Sequence, residues 1–574
     1  MLRLGRPLLN RWPDLVILGG LLAGTYGLVV AATRYSRVAA PAAEIDLSPA
    51  ALPLYALLSA GRMLAAYGLS LAFSLSYARV AAGNRQAERL MLPALDILQS
   101  VPIMAFFPAA VLAATALFPG SLLGPELAAI LLIFTSQAWN LAFSFYGSLI
   151  GIPQELREAA TSFRLNGWLR FTRLELPFGL IPLILNSVMS WANGWFFLMA
   201  AEQFGVGSQS FKLPGLGAYL RTAADRGEVG ALGLGLLTLI GLVVAVDQLL
   251  WRPLLQWADR FRYEQTGGLR PPGAPVLGLL RRSALVGWVL RAILRPAVGL
   301  LDEVFNQIFQ WLETRMPRPS KAEKPGRRRW FWVGAGLGAA AGVGWGLAEA
   351  AQLLLGLGPA DWVELAAGAG ASFARVLLVL AVAAAWAVPV GVGVGLRREL
   401  GARVLPLVQL AASVPATALF PAVVLLVIRL PAGIELAAVF LMLLGSQWYV
   451  LFNVVAGALT IPGDLLDAAE IFRLGGWVRW RRLLLPGIFP HLVTGLITAA
   501  GAAWNATVVG EYVSFGGETY RTVGLGSFIV SRAETGDTAG LLAGTILMAF
   551  IVVSLNRLFW RRLYGWAEAR FRLD

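Results

Sequence analysis

Side chains that commonly carry out catalysis or hold metals are scarce in this sequence. It contains no cysteine, so neither a disulfide nor a thiolate metal site can form. His491 is the one histidine, which excludes a histidine-based metal site and a Ser-His-Asp triad of the usual kind. Because His491 directly follows Pro490 at one end of an apolar run, we expect it to be structural.

A nucleotide-binding loop is also missing from the sequence. The phosphate-binding pattern G-x-x-x-x-G-K-[ST] occurs at no position. The nearest similarity, GVGSQSFK ending at Lys212, has Phe before the lysine and no Ser or Thr after it. The sequence therefore predicts a chain that is not an enzyme and binds no cofactor itself. Any step driven by ATP and magnesium would have to take place in partner subunits.

The polar groups with potential function lie inside long apolar runs, where a polar side chain is costly and is often functional. The alternative role for each of them is hydrogen bonding between helices. Glu202 and Glu511 recur at the outer end of the fifth predicted helix of each half, which favours a gating or structural role. The candidates for a translocation pathway are Ser100, Gln137, Asn140, Asn186, Asn193, Ser413, Gln447, Asn453, Thr498 and Asn505.

A charged segment occurs twice. IPQELREAATSFRLNGWLRFTRLELP begins at Ile152, and IPGDLLDAAEIFRLGGWVRWRRLLLP begins at Ile461, with 15 of 26 positions identical. Acids such as Glu155 and Glu158 suit a helix start, and Gly167 permits a turn. The pattern predicts a short helix, a glycine turn and a basic lead-in to the next membrane helix. We call these two stretches, 152–177 and 461–486, repeated segments one and two.

These segments interrupt a chain whose composition is typical of a membrane protein. Of the 574 residues, 57% are hydrophobic and only 14% are charged. The sequence predicts an all-α polytopic membrane protein with about twelve transmembrane helices in two parallel six-helix repeats. The predicted spans are 15–33, 55–80, 98–118, 126–150, 178–201, 229–250, 331–356, 370–396, 406–428, 434–459, 487–510 and 537–558.

The positive charges predict the orientation of the spans. The net charge is +14, and most Lys and Arg residues fall in loops on one side if the N-terminus is cytoplasmic. Both termini and both repeated segments are then cytoplasmic, and the basic charge requires no nucleic acid. The first apolar run could instead belong to a signal peptide, but its length favours a retained helix.

The two halves arise from an internal duplication. They align without a gap from Glu126/Glu435 to Trp257/Trp566, and upstream SVPIMAFFPAAVL matches SVPATALFPAVVL. Asp96 aligns with Gln409, which breaks the symmetry. An even number of helices per half gives both copies the same orientation. The predicted domains are 1–258, with segment 152–177, and 331–574, with segment 461–486.

Between the halves, residues 259–330 form a predicted basic cytoplasmic linker. Its end, TRMPRPSKAEKPGRRR, is rich in proline and charge, as in flexible linkers. Its middle part is amphipathic and is interrupted by Arg291 and Arg295. This pattern favours a helix lying on the cytoplasmic leaflet over a thirteenth span.

EAATSFRLNGWLRFTRLELP and DAAEIFRLGGWVRWRRLLLP resemble the EAA signature of binding-protein-dependent ABC importer permeases of the type I fold. The S-V-P and F-P patterns look most like the nitrate, sulfonate and taurine permease group. The resemblance implies that the repeated segments couple the permease to the ATPase, and Asp467 replaces the usual Glu. The implied coupling residues are Glu155, Glu158, Ala159, Ala160, Gly167, Asp464, Asp467, Ala468, Ala469 and Gly476.

The resemblance also implies the partners and the location. They are two ATP-binding subunits and a periplasmic or lipid-anchored solute-binding protein, in a prokaryotic inner membrane. The solute would be a small anion such as nitrate, a sulfonate, taurine or bicarbonate. Because one chain holds both permease domains, it is expected to form a whole translocation unit. The alternative is a secondary transporter with parallel repeats that works without an ATPase.

Overall fold

The protein is described by a computed structural model that covers residues 44–119, 121–206, 209–258, 295–315, 344–515 and 518–571, with positions 292 and 341. In these residues the chain is almost entirely helical, and two short hairpins are the exceptions. The all-α, polytopic prediction is confirmed. The predicted span 15–33 lies outside the described residues, as do 331–340, 342 and 343 of the predicted span 331–356 and most of the linker 259–330.

The first half follows a regular order of helices. After a 3-10 turn at Pro49–Ala51, α1 to α10 and one hairpin follow, with π-helical turns at Phe171–Glu175 and Asp247–Trp251. The elements are α1 Leu52–Gly83, α2 Arg85–Ser100, α3 Ile103–Leu117, α4 Leu123–Ile150, α5 Gln154–Ser162, α6 Gly167–Arg170, α7 Leu176–Ala201, β1 Gln203–Val206, β2 Gln209–Lys212, α8 Leu216–Asp225, α9 Val229–Val246 and α10 Arg252–Ala258.

The second half repeats this order after the linker helix α11, Arg295–Arg315. Its π-helical turns lie at Trp480–Leu484 and Asn556–Trp560. The elements are α12 Pro359–Leu396, α13 Arg398–Ser413, α14 Ala416–Val427, α15 Gly433–Leu459, α16 Gly463–Ile471, α17 Gly476–Arg479, α18 Leu485–Gly510, β3 Tyr512–Phe515, β4 Glu518–Arg521, α19 Leu525–Thr535, α20 Thr538–Leu555 and α21 Arg561–Phe571.

Eight helices of the described residues are long and apolar enough to cross a membrane, or up to ten if each of two bent pairs is one span. The bent pairs correct the sequence analysis, which expected ordinary spans at 98–118 and 406–428. The α2–α3 pair bends by 88° and the α13–α14 pair by 79°. The break falls at the Ser-Val-Pro motif, because Pro102 and Pro415 push the preceding valines out of the helical region into extended backbone.

Within each half, the long helices pack side by side. In half one α4 lies between α1 and α7, and in half two α15 lies between α12 and α18. Each hairpin pairs its two strands antiparallel and follows directly on α7 or α18. The hairpins therefore mark one end of the bundle. The repeated segments, which precede α7 and α18, mark the other end.

The halves interlock through the short helices that follow the Ser-Val-Pro breaks. α3 of half one packs against α18, α19 and α20, and α14 of half two packs against α7 and α8. Thr545 donates to the Ala105 carbonyl at 3.1 Å, and Thr417 donates to the Phe196 carbonyl at 3.1 Å. One apolar core spans both halves, so the two repeats form a single pseudo-symmetric body.

Candidate functional site

Repeated segment one is a short helix that ends in a left-handed turn. After α5 the Leu165 N–H donates to the Ala160 carbonyl at 3.1 Å, and the Arg164 N–H donates to the Thr161 carbonyl at 3.0 Å. These two bonds form a Schellman C-cap, in which glycine usually takes the left-handed position. Arg164 takes it here, with φ 52°. The hydrogen bonds therefore hold a non-glycine residue in a backbone conformation that it adopts at a cost.

Repeated segment two has the same turn. The Leu474 N–H donates to the Ala469 carbonyl at 2.8 Å, the Arg473 N–H donates to the Glu470 carbonyl at 2.9 Å, and φ of Arg473 is 50°. The two copies thus preserve an uncommon geometry as well as a sequence. Backbone strain held in place by its surroundings is frequent at functional sites.

The turns present aromatic side chains to solvent. Phe163 is 79% exposed and Phe472 is 76% exposed, each next to the left-handed arginine. Sequence reasoning missed this Phe-Arg pair, although FRL is identical in the two segments.

The other predicted coupling residues surround these tips. The four acids are exposed: Glu155, Glu158, Asp464 and Asp467. The first alanine of each pair, Ala159 or Ala468, is half-buried, and the second, Ala160 or Ala469, is buried.

The two glycines of the segments differ, which corrects the expectation that both make the sharp turn. Gly476 has φ +53°, but Gly167 is not among the positive-φ glycines. In segment one Asn166 caps α6 by accepting from the Leu169 N–H at 2.8 Å. The aligned Gly475 has no side chain with which to cap α17. The sharp turn itself lies at the arginines, so glycine is required by backbone angle only at Gly476.

A cavity of about 780 Å³ lies between the halves, a size that suits a small ligand. The two Ser-Val-Pro breaks and helices α4, α7, α15 and α18 form its wall. Trp139 and Trp448 occupy matched positions on opposite sides. Six of the ten predicted pathway residues line it: Ser100, Asn140, Asn193, Ser413, Thr498 and Asn505.

The other four predicted pathway residues lie outside this wall. Gln137 is fully buried beside Gly194, and Gln447 is buried within α15. Asn186 donates to Ser144 at 3.1 Å, and Asn453 donates to the Tyr449 carbonyl at 2.8 Å. The side chains of Asn186, Gln447 and Asn453 thus pack between helices or hydrogen-bond to helical residues. Gln137 has no hydrogen-bond partner for its buried amide.

Among the described residues that line the cavity, Asp96 is the one with a charged side chain. It forms an ion pair with Arg561 of the other half, and Asn556 donates to Ser100 at 2.8 Å alongside it. α20 returns from the hairpin end, so these contacts lie at the end of the cavity that faces the repeated segments. They join the halves there.

The pseudo-symmetric position in half one has a different ion pair. Arg252, the counterpart of Arg561, pairs with Asp247 of its own half at 2.8 Å. Asn556 replaces Asp247 in half two, and Gln409 replaces Asp96 across the interface. Each arginine therefore has an acid, but only Arg561 takes its acid from the opposite half.

At the hairpin end, Glu202 is fully buried in a network of hydrogen bonds. Arg62 donates to Glu202 at 2.7 Å and to both oxygens of Glu126 at 2.6 Å. Ser59 donates to Glu202 at 2.6 Å, and so does the Gly217 N–H at 2.6 Å. Opposite charges and donors compensate the cost of burying this carboxylate.

The same network surrounds Glu511 in half two. Arg375 donates to Glu511 at 2.8 Å and to Glu435 at 2.6 and 2.7 Å, and Ser372 donates to Glu511 at 2.6 Å. Sequence analysis singled out the glutamates but left Arg62 and Arg375 unassigned. The signal was present, since both arginines lie in apolar runs at matched places.

Two matched glycines complete these networks. A Cβ on Gly215 would lie 2.3 Å from a Glu202 oxygen, and a Cβ on Gly524 would lie 2.1 Å from a Glu511 oxygen. Their backbones are extended, so close approach of the carboxylate and not backbone angle requires glycine. The glutamate carbonyls also accept from Leu213 and Thr522 at the ends of the hairpins. Each cluster therefore fixes a hairpin and the next helix to the bundle.

Other titratable groups have structural surroundings. His491 lies against Gly457, where helices α18 and α15 cross closely. On the second hairpin, burial and then the neighbouring Glu534 raise the pKa of Tyr512 to about 12, so the phenol stays protonated and donates to Glu534. In the described part of the chain, no group of three His, Asp or Glu side chains could hold a metal ion.

Comparison with known proteins gives two matches to one family. The profile of the binding-protein-dependent transport system inner membrane component matches residues 69–249 and again 387–573. These ranges contain the two repeated segments, both Ser-Val-Pro breaks and both buried glutamates.

Individual relatives are transport permeases. The nitrate import permease protein of Leptolyngbya laminosa is 29% identical over 134 residues, 23% of this chain and 44% of that protein. The bicarbonate transport system permease protein of Synechocystis sp. (strain ATCC 27184 / PCC 6803 / Kazusa) is 32% identical over 121 residues, 21% and 41% of the two chains.

The putative aliphatic sulfonates transport permease protein of Escherichia coli (strain K12) is 28% identical over 145 residues, 25% of this chain and 51% of that protein. The chain thus spans about half the length of the curated relatives that it matches. The family assignment rests on the two profile matches, which together cover more than half of the chain. This chain therefore belongs to the family of binding-protein-dependent transport system inner membrane components, and it carries the family's domain twice.

Proposed function

We propose that this chain is the permease of an ATP-binding-cassette importer and forms the whole translocation pathway for one small solute. The observation that carries the proposal is a physical connection between two exposed tips and one cavity. Each repeated segment runs through a short helix and a π-helical turn into α7 or α18. Asn193 on α7 and Asn505 on α18 line the cavity. A force on either tip would therefore reach the cavity wall along one continuous helix.

Two separate ATP-binding subunits are the proposed partners of the tips. Each would receive an exposed phenylalanine, Phe163 or Phe472, with the acids of the same segment around it. Exposed aromatic side chains are frequent anchors of protein interfaces. ATP and magnesium would bind in those subunits. Closure of the pair would then move the two segments as rigid bodies.

The Asp96–Arg561 pair is the proposed closure of the cavity on the side of the repeated segments. It joins the halves below the cavity, together with the bond from Asn556 to Ser100. Release of solute toward the ATPase requires the halves to separate there. The pair would break at that step and re-form afterwards.

A small anion is the proposed solute, because the relatives are named for nitrate, bicarbonate and aliphatic sulfonates. The cavity offers amide donors from Asn140 and Asn193, which can hydrogen-bond an anion. Arg561 neutralises Asp96, the charged group of the described wall. Such a wall suits transient passage better than tight binding, and a separate solute-binding protein would supply the affinity.

The proposed setting is a prokaryotic inner membrane, with the repeated segments and both termini in the cytoplasm. One chain would pair with two ATPase subunits, because both permease domains already pack as one body. A secondary transporter remains the alternative to be tested. Such a carrier commonly uses a carboxylate within the pathway, whereas Glu202 and Glu511 are fully buried in ion-pair networks and Asp96 of the cavity wall is paired with Arg561.

Co-purification tests this function directly. The chain should be expressed with the ATP-binding and solute-binding proteins encoded beside it, and the complex should be purified by a tag on the permease. We expect one permease per two ATPase subunits by native mass spectrometry, and ATP-dependent uptake of a small anion into proteoliposomes. Uptake driven by an ion gradient without any ATPase would overturn the proposal.

A further inference from the structure

The linker helix α11 contacts repeated segment one through three side chains on one face. The Trp168 indole donates to Asp302 at 2.6 Å, and the Asn166 amide donates to Asn306 at 2.7 Å. Phe305 stacks on Trp168 with ring centroids 4.8 Å apart and planes 22° apart. The i, i+3, i+4 spacing of the three linker residues places them together on the helix.

The equivalent surface of repeated segment two lacks the means for this contact. Gly475 stands where Asn166 donates its amide hydrogen bond. Trp477, the counterpart of Trp168, is 71% exposed. In the described part of the linker, α11 is the one helix, and the side-chain contacts described above join it to the first segment. The two tips thus differ although their backbones are alike.

A second contact also favours the first segment. Arg79 at the end of α1 pairs with Glu175 at 3.1 Å and donates to the Gly167 carbonyl. At the matched positions, half two has Val392 and Leu484, which cannot form an ion pair. Segment one is therefore held to α1 and to α11 by polar contacts whose counterparts are missing from segment two.

The opposite side of α11 is apolar and open. Leu300, Val304 and Ile308 repeat at the four-residue spacing of one helix face, and all three are exposed. Trp168 lies eight residues before Leu176, so α11 sits about 12 Å along the helix axis from the start of α7. Trp168 lies at the start of the candidate membrane span Gly167–Ala201, so α11 packs at one end of a helix that is long and apolar enough to cross a membrane. The sequence on either side of α11, residues 252–294 and 316–329, carries 13 Lys and Arg against 3 Asp and Glu, which suits anionic lipids.

We propose that α11 is a two-sided brace, which holds repeated segment one through Trp168 and lies on the adjoining membrane leaflet through Leu300, Val304 and Ile308. The motion of segment one is thereby restrained at the lipid surface. Segment two moves without such a restraint. The two repeated segments are consequently restrained to different extents, a difference that the duplication alone does not predict. The brace is independent of the proposed function, because its contacts need neither ATPase nor solute.

Crosslinking tests the contact between α11 and repeated segment one. Because the sequence contains no cysteine, only the introduced cysteines can react. Asn166→Cys/Asn306→Cys and the matched control Gly475→Cys/Asn306→Cys should be treated with a short bifunctional thiol reagent in nanodiscs. We expect the crosslinked peptide by mass spectrometry from the first pair and at least tenfold less from the control. Equal yields from the two pairs would overturn the contact.

Lipid quenching tests the second side. A bimane label on Val304→Cys or Glu303→Cys should be compared in nanodiscs that contain anionic phospholipid with and without doxyl-labelled chains. We expect strong quenching at position 304 and little at 303. Trp168→Ala should reduce the quenching at 304, whereas Trp477→Ala should leave it unchanged. Equal quenching at 303 and 304, or equal effects of the two tryptophan variants, would contradict the brace.

The permease function has a separate readout. ATP hydrolysis and uptake in the same proteoliposomes measure transport, whereas crosslinking and quenching need only the purified chain. Failure of transport with both brace assays positive would refute the proposed function alone. Normal transport with both brace assays negative would refute the brace alone.

Discussion

At the residue scale, two buried arginine–glutamate networks organise the end of the bundle that carries the hairpins. Glu202 and Glu511 each accept hydrogen bonds from an arginine, a serine and a backbone N–H. Removal of one partner of a buried pair costs more than the pair contributes, because the other charge remains buried. These glutamates are therefore expected to be structural, and substrate contact is left to the cavity.

Truncation of one glutamate should reveal this role. Glu511→Ala removes one of the two acids paired with Arg375 and leaves it with Glu435, Thr522 and the Val523 carbonyl, so we expect a loss of about 3 kcal/mol in folding stability. The thermal unfolding temperature of the detergent-purified chain measures it. Glu518→Ala on the exposed strand β4 is the control and should change the unfolding temperature little. Equal stability of the two variants would contradict the structural role.

The close approach of Gly524 to Glu511 gives a second residue-scale prediction. Gly524→Ala would place a Cβ 2.1 Å from the carboxylate, so the network must shift. We expect lower thermal stability and easier proteolysis of the β3–β4 hairpin. Gly501→Ala on α18 meets no atom within 4 Å and provides the control. If both alanines are tolerated equally, the contact does not restrict this position.

At the element scale, the repeated segments and the broken helices show what the sequence could predict. Hydrophobic runs predict the eight long helices well, because each helix is apolar over a length that can cross a membrane. They missed the breaks at Pro102 and Pro415, since hydropathy does not register the backbone restriction that proline places on its predecessor. The pattern of the repeated segments also predicts a turn at glycine. In the structure the turn lies at Arg164 and Arg473, where helix-capping hydrogen bonds hold the left-handed backbone.

The exposed tip of each segment gives the prediction at this scale. Phe472→Ala removes an exposed aromatic side chain without touching the core, so folding should be unchanged. If the tip anchors an ATPase subunit, affinity should fall about thirtyfold, which corresponds to about 2 kcal/mol for an interface hot spot. Binding of purified ATPase to nanodisc-embedded permease measures this. Phe550→Ala, exposed on the apolar helix α20, is the control and should bind normally.

At the scale of the whole molecule, the two halves have similar backbones but differ in the side chains that join them. Cross-half contacts at Thr417 and Thr545 build one body, whereas the ion pair at the end of the cavity joins Asp96 of half one to Arg561 of half two. The mismatch of Asp96 with Gln409 was visible in the sequence. Its partner was not, because Arg561 lies far along the chain and no local pattern joins the two residues.

Breaking this pair should weaken closure of the cavity. Asp96→Asn leaves Arg561 without its acid, and we expect ATP hydrolysis to become partly independent of solute while uptake falls severalfold. The exchange Asp96→Arg/Arg561→Asp should restore part of the coupling. Asp247→Asn breaks the matched pair within half one and should affect coupling less. Identical coupling in the Asp96 and Asp247 variants would argue against a closure between halves.

If the two repeated segments transmit ATP-driven motion to the cavity, solute-stimulated ATP hydrolysis in proteoliposomes should depend on both of them. Gly476→Glu forces a side chain onto a backbone with φ +53°, and Glu158→Arg reverses an exposed charge on α5. Both variants should insert into the membrane normally, which a fluorescence-detected size-exclusion profile checks. We expect each variant to lose both stimulation and uptake. Wild-type stimulation and uptake in both variants would contradict this role of the segments.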